Sequence, residues 1–166
     1  MADPDRALLI DWLRLARSET VGPVTFAELI RRYGGPARAL AAIPDLARRG
    51  GRAVSPKVAT VGEAEAELAA GEALGARLLI TLGADFPPLL AAIDPPPPLI
   101  WARGDLSLLK RPGVAIVGAR IASAAGQSFA RTLARQVSEA GYPVISGMAR
   151  GVDGAAHEGA LAVEPQ

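Results

Sequence analysis

Val114-Ala115-Ile116-Val117-Gly118-Ala119-Arg120 is followed downstream by Pro143-Val144-Ile145-Ser146-Gly147-Met148-Ala149-Arg150-Gly151-Val152-Asp153. Each stretch reads as an apolar strand, then a loop that sets an Arg among glycines, then a helix. Ser123 opens the first helix and the second carries His157. Two successive units of this kind predict parallel strands, about 4.8 Å apart, whose loops leave the sheet at one carboxyl edge. Open α/β sheets bind ligands at that edge. Two helix N-termini, small residues that expose backbone N–H groups and two guanidinium groups at one crevice are suited to holding phosphate.

The first loop does not carry a familiar nucleotide fingerprint. A dinucleotide turn needs G-x-G-x-x-G directly after the strand, but here Gly118 stands alone and Gly126 lies well inside the following helix. There is no Gly-Lys-Ser/Thr ending either, so NAD, FAD and P-loop hydrolysis are disfavoured. Gly118 allows close backbone approach, and Arg120 projects a charge two residues on. A surface ion pair is the plain alternative for Arg120, but its place at the carboxyl edge favours phosphate. Ser123 is a natural N-cap for a helix with Phe129, Leu133 and Val137 on one face, and capping alone accounts for it. In the second loop Gly147 and Gly151 frame Arg150. Asp153 falls in the first helical turn, where a carboxylate meets the positive end of the dipole. His157 lies four residues on, on the same face. With Ser146 nearby a catalytic set is conceivable, but bracing of the loop backbone by Asp153 and His157 is the preferred reading.

Composition narrows the classes further. Half of the 166 residues are apolar, enough for a core of one or two domains, and the net charge is only +1. No strongly basic balance announces nucleic acid. The absence of cysteine excludes disulfides, zinc ribbons and thiol catalysis, and a single His excludes a histidine-rich metal site. No leader-like or bilayer-length apolar run is present, so the chain reads as cytoplasmic. Few convincing parallel strands are offered, and the sheet is expected to be incomplete in this chain.

Along the chain, the first ~50 residues read as helices. Asp3 is expected to cap the first, with Pro4 at its first position and Leu8, Leu9, Trp12, Leu13 and Ala16 inward. Thr20-Val21-Gly22-Pro23 turns into a second helix through Phe26, Leu29, Ile30 and Tyr33, stopped by Gly34-Gly35. Pro36 starts a third through Leu40, and Pro44 opens a short fourth ended by Gly50-Gly51. Helix-hairpin-helix modules offer backbone N–H groups of such a turn to DNA. Here Thr20 replaces a usual glycine and no Lys follows Pro23, so the turn reads as a plain connection within a hairpin-like fold. Residues 61–74 read as an amphipathic helix and 77–82 as a strand. Residues 85–90 read as a turn with a short helix. Pro95-Pro96-Pro97-Pro98 reads as a stiff connector into an edge strand at 99–102.

These residues together resemble the DNA-processing protein DprA/Smf family. The resemblance rests on the Val114–Arg120 and Ser146–Asp153 strings with Ala156-His157 and Gly159-Ala160-Leu161. It extends upstream through Leu13-Arg14-Leu15, Val21-Gly22-Pro23, Phe86-Pro87-Pro88-Leu89-Leu90, Pro97-Pro98-Leu99-Ile100 and Arg103-Gly104-Asp105. It implies an α/β chain with a small all-α, sterile-alpha-motif-like (SAM-like) or helix-hairpin-helix-like domain over 1–60. An extended Rossmann-like domain, incomplete here, would occupy 61–166. It also implies a non-enzymatic, cytoplasmic protein without a cofactor that binds single-stranded DNA and helps load the RecA recombinase in natural transformation. Homodimerisation would use regions beyond this chain. By resemblance Arg120 belongs to the DNA pocket, and Gly147, Arg150 and Gly151 form the matching second loop, with Gly118 and Ser123 beside the first. Ala119 replaces the more usual Ser. The alternatives are a nucleoside-monophosphate phosphoribohydrolase on a related Rossmann variant, whose Pro-Gly-Gly-x-Gly-Thr-x-x-Glu string is absent, and a nucleotide-sensing module.

Overall fold

The computed structural model describes residues 4–51, 54 and 56–163. Packing divides the chain into two compact units, one up to Leu106 and one from Ser107.

The first unit opens with three helices, α1 (Arg6–Arg17), α2 (Pro23–Tyr33) and α3 (Pro36–Arg49). Asp5 caps α1, its carboxylate accepting the Leu8 N–H at 2.7 Å. The cap expected at Asp3 lies outside the described residues, and Pro4 precedes the helix instead of opening it. Gly22 and Pro23 start α2 as the sequence indicates, and Gly34 ends it in the left-handed conformation at φ 71°. The expected break at Pro44 is absent. Pro44 sits inside α3, because Leu40, Ile43 and Ala47 continue one buried stripe through it. Proline removes one backbone hydrogen bond and crowds the preceding turn, but burial of that stripe outweighs the loss.

Helix α4 (Val61–Ala73) starts at a full capping box, in which Thr60 and Glu63 satisfy each other's backbone N–H groups. Strand β1 (Ala76–Ile80) follows, then the single turn of α5 (Pro88–Ala91) and strand β2 (Leu99–Arg103). β1 and β2 pair antiparallel, with Leu78 opposite Trp101. The core explains why this hairpin belongs to the first unit. Trp12, Leu15, Phe26, Leu29, Leu40 and Ile43 cluster with Ile80 of β1, while Leu13 packs with Ala64, Leu68 and Leu78. The helical core is thus closed by α4 and β1, which pack with it in the same unit.

A 3-10 turn (Leu106–Lys110) leads to the second unit, β3 (Val114–Ala115), α6 (Ala124–Glu139), β4 (Val144–Ile145) and α7 (Val152–Leu161). β3 and β4 are parallel, extended by Val114 N–H to Pro143 O and Ile116 N–H to Ile145 O, both 2.9 Å. The regular ladder is shorter than the strands expected at 114–117 and 143–146, because the chain peels into the loops beyond Ile116 and Ile145. Ile116, Ala134 and Ala156 form the core under α6 and α7, with Val144 and Val152 against it. Helices α6 and α7 approach closely, since a β-carbon on Gly159 would lie 2.1 Å from Arg131 O. The molecule is therefore mixed α/β, an N-terminal helical domain followed by small sheets and helices. No helix among the described residues is long and apolar enough to cross a membrane.

Candidate functional site

The parallel pairing of β3 and β4 brings the two Arg-bearing loops together at their carboxyl ends. The loops are joined through their backbones, Val152 N–H donating to Ala119 O at 3.2 Å. Gly151 makes this approach feasible. It sits at φ +83°, and a β-carbon there would stand 2.3 Å from Ala119 O and 2.7 Å from Arg120 O. Gly118 has a related task, because its missing β-carbon leaves room for the Val152 side chain, which a β-carbon would meet at 2.7 Å. On the side its β-carbon would occupy, Gly118 thus allows the close approach of the neighbouring helix start.

Asp153 is the most buried polar group of this region, and its Oδ2 accepts the Gly147 N–H at 3.0 Å. Gly147 therefore directs its N–H inward, to the first turn of α7, and not toward a ligand. The carboxylate fixes the second loop on the helix that follows it. No Asp153–His157 hydrogen bond is formed, and His157 Nε2 is buried without a partner among the described residues. Ser146 Oγ donates to Ile116 O at 2.7 Å, which ties the two strands at the point where they diverge. A serine, histidine and aspartate close in sequence are thus each set to a different task, and no nucleophile–base pair results.

Ser123 caps α6 by accepting the Gly126 N–H at 3.1 Å. α7 has no side-chain cap, its N-cap being Gly151. The Arg120 and Arg150 side chains are both exposed, and neither makes a hydrogen bond or ion pair among the described residues. The other cations of this unit differ. Arg131 pairs with Glu158, Arg135 with Glu139, and Arg111 reaches the Gly141 carbonyl. The backbone N–H groups of Gly118, Ala119 and Arg120 are likewise without partners among the described residues.

Sequence reasoning passed over two residues on these loops. Met148 takes a left-handed conformation, φ 56°, with its side chain 79% exposed, and Ile121 is 94% exposed. A left-handed Met is uncommon and carries backbone strain, which tends to persist at functional loops. No sequence signal marks it, since Gly and Asn are the residues that advertise that conformation. Among the described residues no group of three or more His, Asp or Glu side chains could hold a metal ion.

The family comparisons divide the chain between residues 70 and 77, inside the first packed unit. Residues 77–166 match the family model described as "DNA recombination-mediator protein A". The chain belongs to this family, the DprA/Smf proteins. Residues 6–70 match the "DprA-like N-terminal HHH domain". Among individual relatives, the chain is 36% identical over 83 residues to "Protein Smf" of Synechocystis, covering 48% of this chain and 21% of that protein. It is 34% identical over 77 residues to "DNA processing protein DprA" of Bacillus subtilis, covering 46% and 26%. With the Streptococcus pneumoniae protein of the same description, identity is 38% over 76 residues, 46% of this chain and 27% of the other. The chain thus spans about a quarter or less of the length of the curated relatives it matches. As a member of the DprA family it is related to DNA-processing recombination mediators.

Proposed function

We propose that this chain carries part of a single-stranded DNA site, serving a recombination mediator that protects incoming strands and helps load the RecA recombinase in natural transformation. The observation that carries the reading is the backbone junction between Ala119 and Val152, which sets Arg120 and Arg150 on adjoining loops with both guanidinium groups exposed and unpaired. Arginine suits this role because its planar fork matches phosphate oxygens and stays charged. Gly118, Gly147 and Gly151 shape the loops, Ser123 and Asp153 hold them to α6 and α7, and His157 supports α7 from within. The start of α7, without a side-chain cap, adds the positive end of a helix dipole.

Catalysis is not part of this reading, because Ser146, Asp153 and His157 do not form a nucleophile–base relay. In the finer fold assignment, residues 1–60 correspond to the SAM-like module and 61–166 to the opening of an extended Rossmann-like domain. A cytoplasmic location accords with a role on incoming DNA.

Fluorescence anisotropy of labelled oligo-dT, titrated with the chain across salt concentrations, tests the proposal. Binding is expected to weaken linearly on a log–log salt plot, by about 0.7 per phosphate neutralised. Duplex DNA and AMP should compete poorly. Efficient displacement by AMP, with little affinity for oligo-dT, would replace the single-strand reading with a mononucleotide site.

A further inference from the structure

The first unit holds an apolar cavity of about 210 Å³, remote in sequence from both Arg-bearing loops. Its walls come from α1, α2 and the proline-rich connector. Trp12 and Phe26 pack with ring centroids 5.1 Å apart, and Ile30, Leu82, Pro96 and Pro98 complete the apolar surface. Two of the three side-chain donors in these walls, Trp12 and Thr81, are already used internally. Trp12 Nε1 donates to Pro98 O at 2.6 Å, and Thr81 Oγ1 donates to Pro97 O at 2.6 Å. Those same bonds anchor the connector, and fixed proline φ angles keep its side of the cavity preformed.

One polar group at the cavity remains uncommitted. Arg31, in the last turn of α2, lines it, is exposed, and makes no hydrogen bond or ion pair among the described residues. Its neighbour Arg32 does not line the cavity and lies over the Tyr33 ring, 5.6 Å from the centroid. An apolar recess with satisfied donors and a free guanidinium beside it defines its occupant by complementarity. A nucleobase brings both edge donors and acceptors, of which the one free guanidinium could pair acceptors alone, and leaving the donors unpaired on burial is costly. The volume also falls below the ~300 Å³ at which small-molecule sites begin. A single apolar side chain flanked by a carboxylate meets both conditions.

We infer that this cavity is a docking point for an acidic peptide segment of a partner protein, which inserts one apolar side chain while Arg31 takes an adjacent carboxylate. This surface is independent of the proposed DNA site and goes beyond it. The connector side of the cavity is held by hydrogen bonds and the anchor is small, so the contact suits a short, extended segment with no tertiary fold of its own.

The test uses the whole chain and decapeptides of Asp and Gly that each carry one Leu, Phe or Trp. Binding is followed by the two tryptophan indole N–H resonances, since the chain has two tryptophans and only Trp12 lines the cavity. At least one peptide should bind saturably and shift the Trp12 signal while Trp101 stays in place. Replacing its apolar residue by Ser, or its Asp residues by Asn, should abolish the shift. Arg31→Glu, a surface change, is expected to weaken binding by about tenfold or more. Ala27→Leu fills the recess from α2 and should block it in a protein of unchanged fold. The inference is overturned if none of the peptides moves Trp12, or if the Trp12 shift survives Arg31→Glu in a folded chain. Displacement of the bound peptide by oligo-dT would equally overturn it, in favour of a nucleic-acid surface.

Discussion

Gly151 and Arg120 make opposite predictions although their backbones touch. At φ +83°, with backbone oxygens of Ala119 and Arg120 within 2.7 Å of any added β-carbon, Gly151→Ala must part the two loops or strain the start of α7. We expect a loss of at least about 2 kcal/mol, from the conformational and steric costs together, read by thermal or chemical denaturation. Arg120→Glu touches nothing internal, so the melting temperature should stay within error while oligo-dT binding is lost. Unchanged binding by that folded variant would remove Arg120 from the site. His157→Ala is expected to lower the melting temperature more than DNA affinity, because the residue is half-buried and its Nε2 lies out of solvent. A large affinity loss at unchanged melting temperature would reverse that assignment. Glycines and arginines at the end of an apolar run made these loops legible in the sequence. The left-handed backbone of Met148 was not, since Gly and Asn, not Met, signal that conformation in a sequence.

At the scale of elements, local chemistry and tertiary packing decided different boundaries. Residues 61–74 were legible as a helix from their pattern, and its start is fixed locally by the Thr60–Glu63 capping box, which that pattern did not use. Pro44 could not be read correctly, because what carries α3 through it is the buried stripe of Leu40, Ile43 and Ala47 against other helices. β3 and β4 were legible as strands, but their regular pairing is short, since the loops bend toward each other at the Ala119–Val152 bond. The α4 cap also makes a pH prediction. The hydrogen bond from Lys57, followed by those from the Thr60 backbone and side chain, holds the Glu63 carboxyl down at about 2. A carboxyl depressed by folding stabilises the folded state above its ordinary range, and this contribution disappears as pH falls through that range toward about 2. NMR titration of the Glu63 side chain should give a midpoint near that value, moved upward by Lys57→Ala and by added salt, which screens an exposed pair. An ordinary midpoint in the native chain would show that the Lys57–Glu63 contact does not persist in solution.

Taken as a whole molecule, the chain distributes its apolar burial unevenly. The first unit buries Trp12, Leu13, Leu15, Phe26, Leu40, Ile43 and other large side chains. In the second, among the described residues, Ile116 is the one large apolar side chain in the buried class, and the rest of that core is alanine. A buried Leu, Ile or Phe contributes about 1.5–3 kcal/mol, far more than an alanine methyl, so the two units should not open with the same free energy. Native-state hydrogen exchange is expected to give the slowest amides in α1 and α3, with β3, β4 and α7 exchanging through a smaller opening. Equal protection in both would mean that they unfold as one cooperative body. The same experiment separates the two binding readings. A ligand present at about 100 times its dissociation constant stabilises the species that binds it by about 2.7 kcal/mol. With the second unit opening through its own smaller opening, as expected above, oligo-dT should raise protection in β3, β4 and α7 and leave the slowest amides of α1 unchanged. An acidic peptide in the Trp12–Phe26 cavity should raise protection in the first unit, the slowest amides of α1 and α3 included, and leave β3, β4 and α7 unchanged. Protection of the first unit by oligo-dT would transfer the nucleic-acid surface to the helical domain.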